Sequence, residues 1–147
     1  MSSALLNAKL VISTDLEDIL NSNTKINYLN NNKNLNLKNL KFETLEWDNM
    51  NNINNIFNKY KQIDYIFICE CLYIEAPFNK LLKTMIKFCK NYKNIKILFA
   101  YKKRYKFQDE CMENIKKYFE IKEVNRNELH KDFINNLNYV FLFINLK

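Results

Sequence analysis

The 147-residue chain contains no glycine, and this absence constrains its backbone more than any other feature of the sequence. Glycine is the residue that most readily adopts a positive φ, which tight turns and close approaches of the backbone to a ligand require. An average soluble domain has about 7% glycine. Any such turn in this chain must therefore be formed by a residue that carries a side chain.

The composition indicates one folded domain, which we place at residues 1–147. Hydrophobic residues make up 48% of the chain and aromatic residues 14%, which is enough for a core and too much for a disordered tail. No apolar run approaches the roughly 18–20 residues that cross a bilayer. The amino terminus, MSSALLNAKLVISTD, lacks the basic and apolar segments of a secretory signal. We expect no membrane association and a cytoplasmic location, with the nucleus as the alternative.

The charge balance is basic, with 23 Lys and Arg against 16 Asp and Glu and a net charge of +7. The lysines are spread along the chain, which is typical of a solvated surface. Codon bias toward Asn and Lys explains this excess without selection for binding. The alternative is a surface for nucleic acid or an anionic membrane. We favour the first explanation and do not expect nucleic-acid binding.

The cysteines do not predict a metal site. Cys69, Cys71, Cys89 and Cys111 have no C-x-x-C spacing, and His130 is the only histidine. Cys69 and Cys71 would point to the same face of an extended segment, so they could bind a metal only with two further ligands. We interpret all four as small hydrophobic residues in a reducing cytosol.

Short apolar segments alternate with amphipathic ones along the chain. The apolar or alternating segments predict strands at Lys9–Thr14, Phe42–Trp47, Ile63–Cys69, Ile95–Tyr101, Ile121–Val124 and Tyr139–Asn145. The segment Ile63–Cys69 is apolar almost throughout, which is typical of a strand covered on both faces. The Asn-rich stretches, Lys25–Asn39 and Asn49–Asn58, predict loops or loosened helix ends.

Three segments predict helices. The first would be capped by Thr14 or Asp15 and would end near Leu29. The second follows Pro77 and has the clearest apolar face, formed by Phe78, Leu81, Leu82, Met85, Ile86 and Cys89. The third has a face formed by Cys111, Met112, Ile115, Tyr118 and Phe119. Helices that alternate with strands predict an α/β sheet that is mostly parallel and ends with an antiparallel strand.

In such a sheet, ligands bind beyond the carboxyl ends of the strands. Asp15 follows the first strand, where a carboxylate could accept the hydroxyl groups of a ribose or simply cap a helix. Trp47 ends the second strand, where it could stack on an adenine ring or belong to the core. Glu70 and Tyr73 follow the third strand, at a pocket mouth or in a solvated loop.

A series of motifs brings these positions together. The segments VISTDLEDIL, LEW, DYIFICECLYIEAPFNKLLKT, AYKKR and KKYFE occur in this order over nearly the whole chain. This series resembles the seven-strand protein-lysine methyltransferases that use S-adenosylmethionine. It looks closest to the methyltransferase-like 21 group, which includes the lysine methyltransferase of the AAA ATPase valosin-containing protein. The resemblance implies a Rossmann-like α/β sheet of seven strands.

The resemblance implies a cofactor site for S-adenosylmethionine. Asp15 matches the acidic residue that binds the cofactor ribose, with Leu16 directly after it. Trp47 matches the residue beside the adenine. Cys69 falls where a small residue contacts the cofactor through its backbone.

The resemblance also implies the catalytic and substrate-binding residues. Glu70 and Tyr73 match the ends of the D-x-x-Y motif that lines the lysine channel, and Glu75 matches an acidic position beside it. Tyr73 and Glu75 would bind the substrate. Here the motif begins with Glu in place of Asp, which moves the carboxylate by about one methylene.

The implied reaction is direct methyl transfer to a lysine of a protein substrate, such as an AAA ATPase or a chaperone, without a metal. The amine has a reference pKa of about 10.4 and must lose its proton before it can react. Partial desolvation in an aromatic channel lowers that pKa. Tyr73 would orient the neutral amine and Glu70 would position it.

The family's cofactor site begins with a strand and a Gly-x-Gly-x-Gly turn, in which glycine lets the backbone approach the ligand. This chain has no glycine, and the resemblance implies that the first strand and the first turn are missing. We therefore expect an N-terminally incomplete methyltransferase domain that binds S-adenosylmethionine weakly or not at all. Two alternatives stay open: a non-catalytic methyltransferase-like binding module, and an α/β domain whose basic surface binds RNA.

Overall fold

The computed structural model describes residues 2–6, 8–35, 38–73 and 77–147. The chain divides into two compact units, Met1–Lys59 and Tyr60–Lys147. Each unit has its own sheet, and the two are described separately below. No helix among these residues is both long and apolar enough to span a membrane.

The first unit contains a two-stranded parallel sheet. Its strands are β1 (Val11–Asp15) and β2 (Leu40–Thr44), paired from Val11 with Leu40 to Asp15 with Thr44. The helices are α1 (Ser2–Leu5), α2 (Glu17–Ile19), α3 (Lys25–Leu35) and α4 (Met50–Lys59), with a π-helical turn, Leu20–Thr24, between α2 and α3. A small core joins buried Ala4 and Leu40 to Tyr28 and Phe42.

The Asn-rich stretches of this unit, predicted as loops or loosened helix ends, are mostly helical, so the first of these alternatives is wrong. In α4, Ile53 and Ile56 lie at helical spacing and are buried. In α3, the ring of Tyr28 packs edge-on against Phe42 at a centroid distance of 5.2 Å. Burial of such side chains outweighs the modest helix propensity of Asn, because tertiary packing supplies most of the stability of a helix.

The predicted boundaries around β2 and α2 are also corrected. β2 ends at Thr44, so Trp47 lies in a turn and does not end a strand. The chain reverses there because the next residue, Asp48, has a φ of 64°. The N-cap of α2 is Leu16, which makes no side-chain cap, in place of the predicted Thr14 or Asp15.

The second unit contains a four-stranded mixed sheet in the order β3-β4-β6-β5. The strands are β3 (Tyr65–Cys69), β4 (Lys96–Lys102), β5 (Phe119–Glu123) and β6 (Tyr139–Leu146). The helices are α5 (Phe78–Asn91), α6 (Phe107–Lys116) and α7 (Lys131–Ile134), with a 3₁₀ turn at Arg126–Glu128. β3 and β4 are parallel, whereas β6 is antiparallel to both β4 and β5.

The prediction of an α/β fold with an antiparallel carboxyl-terminal strand is confirmed. The prediction of a mostly parallel sheet is wrong for the described residues, in which two strand pairings are parallel and two are antiparallel. All the antiparallel pairings of the sheets involve β6, which is the last strand of the chain. The described residues form six strands in two sheets. A seven-strand sheet with its first strand missing stays a prediction, as does the single domain.

The core of the second unit lies on one face of its sheet. Along β4, Ile97, Phe99 and Tyr101 alternate with less buried residues, as the pleat of a strand requires. Buried residues of α5 and α6 include Leu81, Leu82, Met85, Phe88, Cys111 and Ile115. These apolar faces agree with the predicted helices, except at the end of the third. There α6 ends at Lys116, Tyr118 lies beyond it and is 49% exposed, and Phe119 begins β5.

The prediction that both faces of Ile63–Cys69 are covered is wrong. Tyr65 and Phe67 are 50% and 59% exposed, and only Ile68 is buried within β3. In the sheet formed by the described residues, β3 is an edge strand whose partner is β4. An apolar run does not reveal whether a strand is central or at an edge, which explains the error.

Among the described residues, three that carry side chains adopt the left-handed conformation that glycine would otherwise provide. Asp48, Glu70 and Asn94 have φ values of 64°, 56° and 70°. Asp and Asn tolerate this region because their short side chains can form local hydrogen bonds. Glu does not share that preference, so Glu70 is the unusual member of the set.

The conformation of Asn94 predicts the effect of substitutions in the turn before β4. Asn94→Ala is expected to lower the free energy of unfolding by about 1 kcal/mol, because alanine keeps the Cβ that disfavours a positive φ and loses the short polar side chain that lets Asn tolerate it. Asn94→Gly should preserve stability. The control is Asn79→Ala on the exposed face of α5, which should change stability by less than about 0.5 kcal/mol. Urea titration measures all three, and equal losses for Asn94→Ala and Asn94→Gly would contradict the argument.

Candidate functional site

Asp15 lies at the carboxyl end of β1, and its backbone is fixed to the neighbouring strand segment. The N–H of Leu45 donates to the carbonyl of Asp15 at 2.9 Å. The side-chain Oδ1 accepts the N–H of Leu16 at 2.9 Å. Asp15 and Leu16 are exposed. The carboxylate can therefore accept hydrogen bonds from hydroxyl groups of a ligand while the backbone below it stays fixed.

Trp47 lies in a turn after the adjacent strand, β2, and a hydrogen bond from this turn to the following helix, α4, stabilises it. Asn49 Oδ1 accepts the N–H groups of Asn51 and Asn52 at 3.0 and 3.3 Å, which fixes the start of α4. Asn52 Oδ1 in turn accepts the N–H of Glu46 at 3.0 Å. Trp47 is half-buried. Because β1 and β2 are parallel, Asp15 and Trp47 follow the same end of this sheet.

The second unit places Cys69 and Glu70 at the carboxyl end of β3. The N–H of Glu70 donates to the carbonyl of Ala100 on β4 at 2.9 Å. Glu70 Oε1 accepts the N–H of Lys102 at 2.7 Å, and Oε2 pairs with Nη1 of Arg104. The side chain of Glu70 therefore links the end of β3 to the segment after β4.

The Glu70 carboxylate influences the charged and titratable groups beside it. Its hydrogen bond to Arg104 raises the pKa of that guanidinium, which stays protonated. Partial burial raises the pKa of the Cys69 thiol, and the negative charge of Glu70 raises it further. Cys69 is therefore a protonated thiol at neutral pH, and a role as a thiolate nucleophile is not favoured.

Gln108 also belongs to this region, although the sequence did not predict it as a site residue. Its side chain is 1% exposed. Oε1 accepts the N–H groups of Arg104 and Tyr105 at 2.8 and 3.1 Å. Nε2 donates to the carbonyls of Leu72 and Lys102 at 2.7 and 3.3 Å. The sequence does carry a signal, because Gln108 shares the apolar spacing of Cys111, Met112 and Ile115 on α6.

Tyr73 follows Leu72 on the segment that leaves β3. Leu72 is buried, whereas Tyr73 is 57% exposed, so its ring is accessible to a ligand. The structure therefore brings Cys69, Glu70 and the segment of Tyr73 to one edge of the second unit's sheet, beside Arg104. Glu75 lies outside the described residues. Asp15, Leu16 and Trp47 belong to the first unit.

Two other features of the described residues do not coincide with these positions. A cavity of about 190 Å³ in the first unit is lined by Ser13, Thr24, Asn27, Tyr28, Leu40 and Phe42. None of the predicted site residues lines it. Within residues 2–6, 8–35, 38–73 and 77–147, no cluster of three His, Cys, Asp or Glu side chains could hold a metal ion.

Comparisons with known proteins identify the kind of fold to which these positions belong. A family model described as lysine methyltransferase matches residues 1–118. A solved structure from Streptococcus mutans, described as a methyltransferase in complex with SAH, has a TM-score of 0.60 and 14% sequence identity. That match covers 97% of this chain and 79% of the other. None of the curated proteins matches. The structural likeness shows that the mixed α/β arrangement is a methyltransferase fold.

The proximity of Glu70 and Cys69 predicts a change in thiol reactivity. Glu70→Gln removes a negative charge that disfavours the thiolate, so the pKa of Cys69 should fall and its alkylation at pH 8 should accelerate. Iodoacetamide labelling followed by peptide mass spectrometry measures each cysteine separately. Cys89, whose pKa burial raises to about 11, should keep its slow rate. The matched control is Glu120→Gln, and an unchanged Cys69 rate in Glu70→Gln would refute the electrostatic coupling.

Proposed function

Because the chain belongs to the lysine methyltransferase family, we propose that it transfers a methyl group from S-adenosylmethionine to a lysine side chain of a protein. The observation that carries this proposal is the Glu70 pairing at the carboxyl end of β3, directly before the exposed Tyr73. These residues occupy the edge of a parallel strand pair where α/β proteins bind their ligands. The substrate class rests on the description of the family.

We assign the cofactor contacts from the sequence motifs: Asp15, Leu16 and Trp47 in the first unit and, separately, Cys69 in the second. These side chains suit the cofactor, because the exposed carboxylate of Asp15 can accept hydrogen bonds from the two ribose hydroxyl groups and the indole of Trp47 can stack on adenine. When bound, S-adenosylmethionine supplies an electrophilic methyl group. The residues of this chain contribute binding and orientation, since methyl transfer to a neutral amine needs no covalent enzyme intermediate.

Glu70 and Tyr73 would form the entrance for the lysine, with Glu75 as a further substrate contact. An isolated carboxylate stabilises an ammonium ion and so keeps a lysine protonated. In this chain Arg104 balances the charge of Glu70. The pair can accept a hydrogen bond from the amine without strongly favouring its charged form, so we assign Arg104 the role of keeping the lysine pKa low.

A finer assignment rests on the sequence motifs. The series from VISTDLEDIL to KKYFE supports membership of the methyltransferase-like 21 group. An AAA ATPase or a chaperone is accordingly the protein substrate that we propose. The site of action would be the cytoplasm or the nucleus.

The proposed function is tested by the Tyr73→Phe and Glu70→Ala variants. With a protein extract as substrate and radiolabelled S-adenosylmethionine at a saturating concentration, chosen because we expect weak cofactor binding, the unmodified chain should label lysine residues, which mass spectrometry identifies. Tyr73→Phe should reduce transfer by about 100-fold, the cost of a misplaced amine, and Glu70→Ala should reduce it similarly. Calorimetry should find the same SAH affinity in both variants.

The control for the tyrosine substitution is Tyr118→Phe, which alters an exposed tyrosine at 49% exposure outside the proposed site. It should retain full transfer. Activity at the unmodified level in both Tyr73→Phe and Glu70→Ala would overturn the site assignment. Absence of lysine labelling by the unmodified chain at a saturating concentration of S-adenosylmethionine would overturn the proposed function.

The role of Arg104 predicts a shift in the pH dependence of the rate. Arg104→Met removes the positive charge beside Glu70, so the bound lysine should keep its proton to a higher pH. The rising limb of kcat against pH should therefore move to higher pH. Arg126→Met, which removes an arginine paired with Glu123, should leave it in place. An unmoved limb in Arg104→Met would contradict the charge-balancing role.

A further inference from the structure

Gln108 is a buried polar residue whose hydrogen-bonding capacity is completely used. A side-chain amide has two donor hydrogens and one oxygen with two acceptor positions. In α6, Oε1 accepts two backbone N–H groups and Nε2 donates to two backbone carbonyls. A buried network that is fully satisfied fixes the groups it joins, because every broken bond leaves a polar group without water.

The four partners belong to two separate segments of the chain. The carbonyl of Leu72 precedes Tyr73 on the segment after β3, 36 residues away in sequence from Gln108. The other partners are Lys102 at the end of β4 and, on the segment that follows, Arg104 and Tyr105. One side chain therefore holds together the segment of Tyr73 and the segment that supplies the partner of Glu70.

The bond to Leu72 distinguishes this arrangement from an ordinary helix start. The two bonds accepted by Oε1 come from residues three and four positions earlier, as in a local turn. A glutamate could accept those bonds equally well. The donor bond to the distant carbonyl of Leu72 requires the amide nitrogen, so an amide at this position connects the two segments in a way that a carboxylate cannot.

We infer that Gln108 is a positioning residue for Tyr73: its amide fixes the carbonyl of Leu72 and thereby sets where the next side chain lies. The inference rests on the proposed function for its catalytic consequence. Gln108 does not touch the substrate in this role. It acts through the backbone that carries Tyr73, and an error of about 1 Å in such a position can cost roughly 100-fold in rate.

The substitution Gln108→Glu tests the inference because it retains the shape and the local acceptor while removing the donor. Without the bond to the Leu72 carbonyl, the segment that carries Leu72 and Tyr73 should open more often, so hydrogen–deuterium exchange at the N–H groups of residues 72–73 should accelerate. Exchange should stay slow at the N–H groups of Arg104 and Tyr105, which the glutamate can still accept. Gln108→Met is the uncharged second variant, in which exchange should accelerate at both places. The matched control is Gln62→Glu at an exposed glutamine, which should leave all of these amides unchanged.

Kinetics test the catalytic consequence. Gln108→Glu should lower kcat by about 10- to 100-fold while SAH affinity stays within about twofold. In a chain that already carries Tyr73→Phe, it should cause little further loss, because both changes act on the same side chain. Additive losses, or an unchanged kcat despite faster exchange at residues 72–73, would overturn the positioning role.

The exchange and kinetic measurements separate the two proposals. If the unmodified chain fails to methylate lysine, the proposed function fails, whereas exchange still reports whether Gln108 fixes Leu72. If exchange at residues 72–73 is the same in Gln108→Glu, Gln108→Met and the unmodified chain, the link itself is refuted. Methylation by the unmodified chain would then leave the proposed function intact.

Discussion

The parallel pairing of β3 with β4 is the interaction on which the rest of the second unit's candidate site depends. Parallel strands bring their carboxyl ends to the same edge, so the segments that leave them lie side by side. This register puts Cys69 opposite Ala100, and Glu70 continues the ladder to the carbonyl of Ala100. Glu70 and Gln108 then tie together the two segments beyond the strands. Sheet register therefore determines which polar groups meet.

Because the chain lacks glycine, Glu70 both turns the backbone and carries the charge at the end of β3. At a φ of 56°, Glu70 turns the backbone at the end of β3, and its side chain provides the local negative charge. A left-handed residue with a long side chain costs of order 1 kcal/mol or more. Its hydrogen bonds to Ala100, Lys102 and Arg104 offset that cost and keep the conformation. The turn and the charge cannot be altered independently.

Sequence patterns predicted the strands and helices in which the spacing of apolar residues matches the buried face. The alternation in β4 and the apolar face of α5 are examples, because each is a local periodicity. The exposure of β3 could not be read in this way, since its position at the edge depends on pairing between distant segments. The same limit applies to the candidate site. Glu70 was found from its place after a strand, whereas the bond from Gln108 to Leu72 spans 36 residues.

The length of the Glu70 side chain determines which groups its carboxylate reaches. The motif it resembles begins with Asp, whose carboxylate lies one methylene closer to the backbone. In this chain the longer side chain reaches the N–H of Lys102 with one oxygen and Arg104 with the other. Its charge is thus directed toward the segment after β4 and balanced there. In the proposed function, charge balance at that point would favour a neutral amine more than an unpaired carboxylate would, because a lone negative charge holds the proton on a lysine. The longer side chain is therefore anchored at Lys102 and Arg104, and in the proposed function this anchored carboxylate would act together with Tyr73.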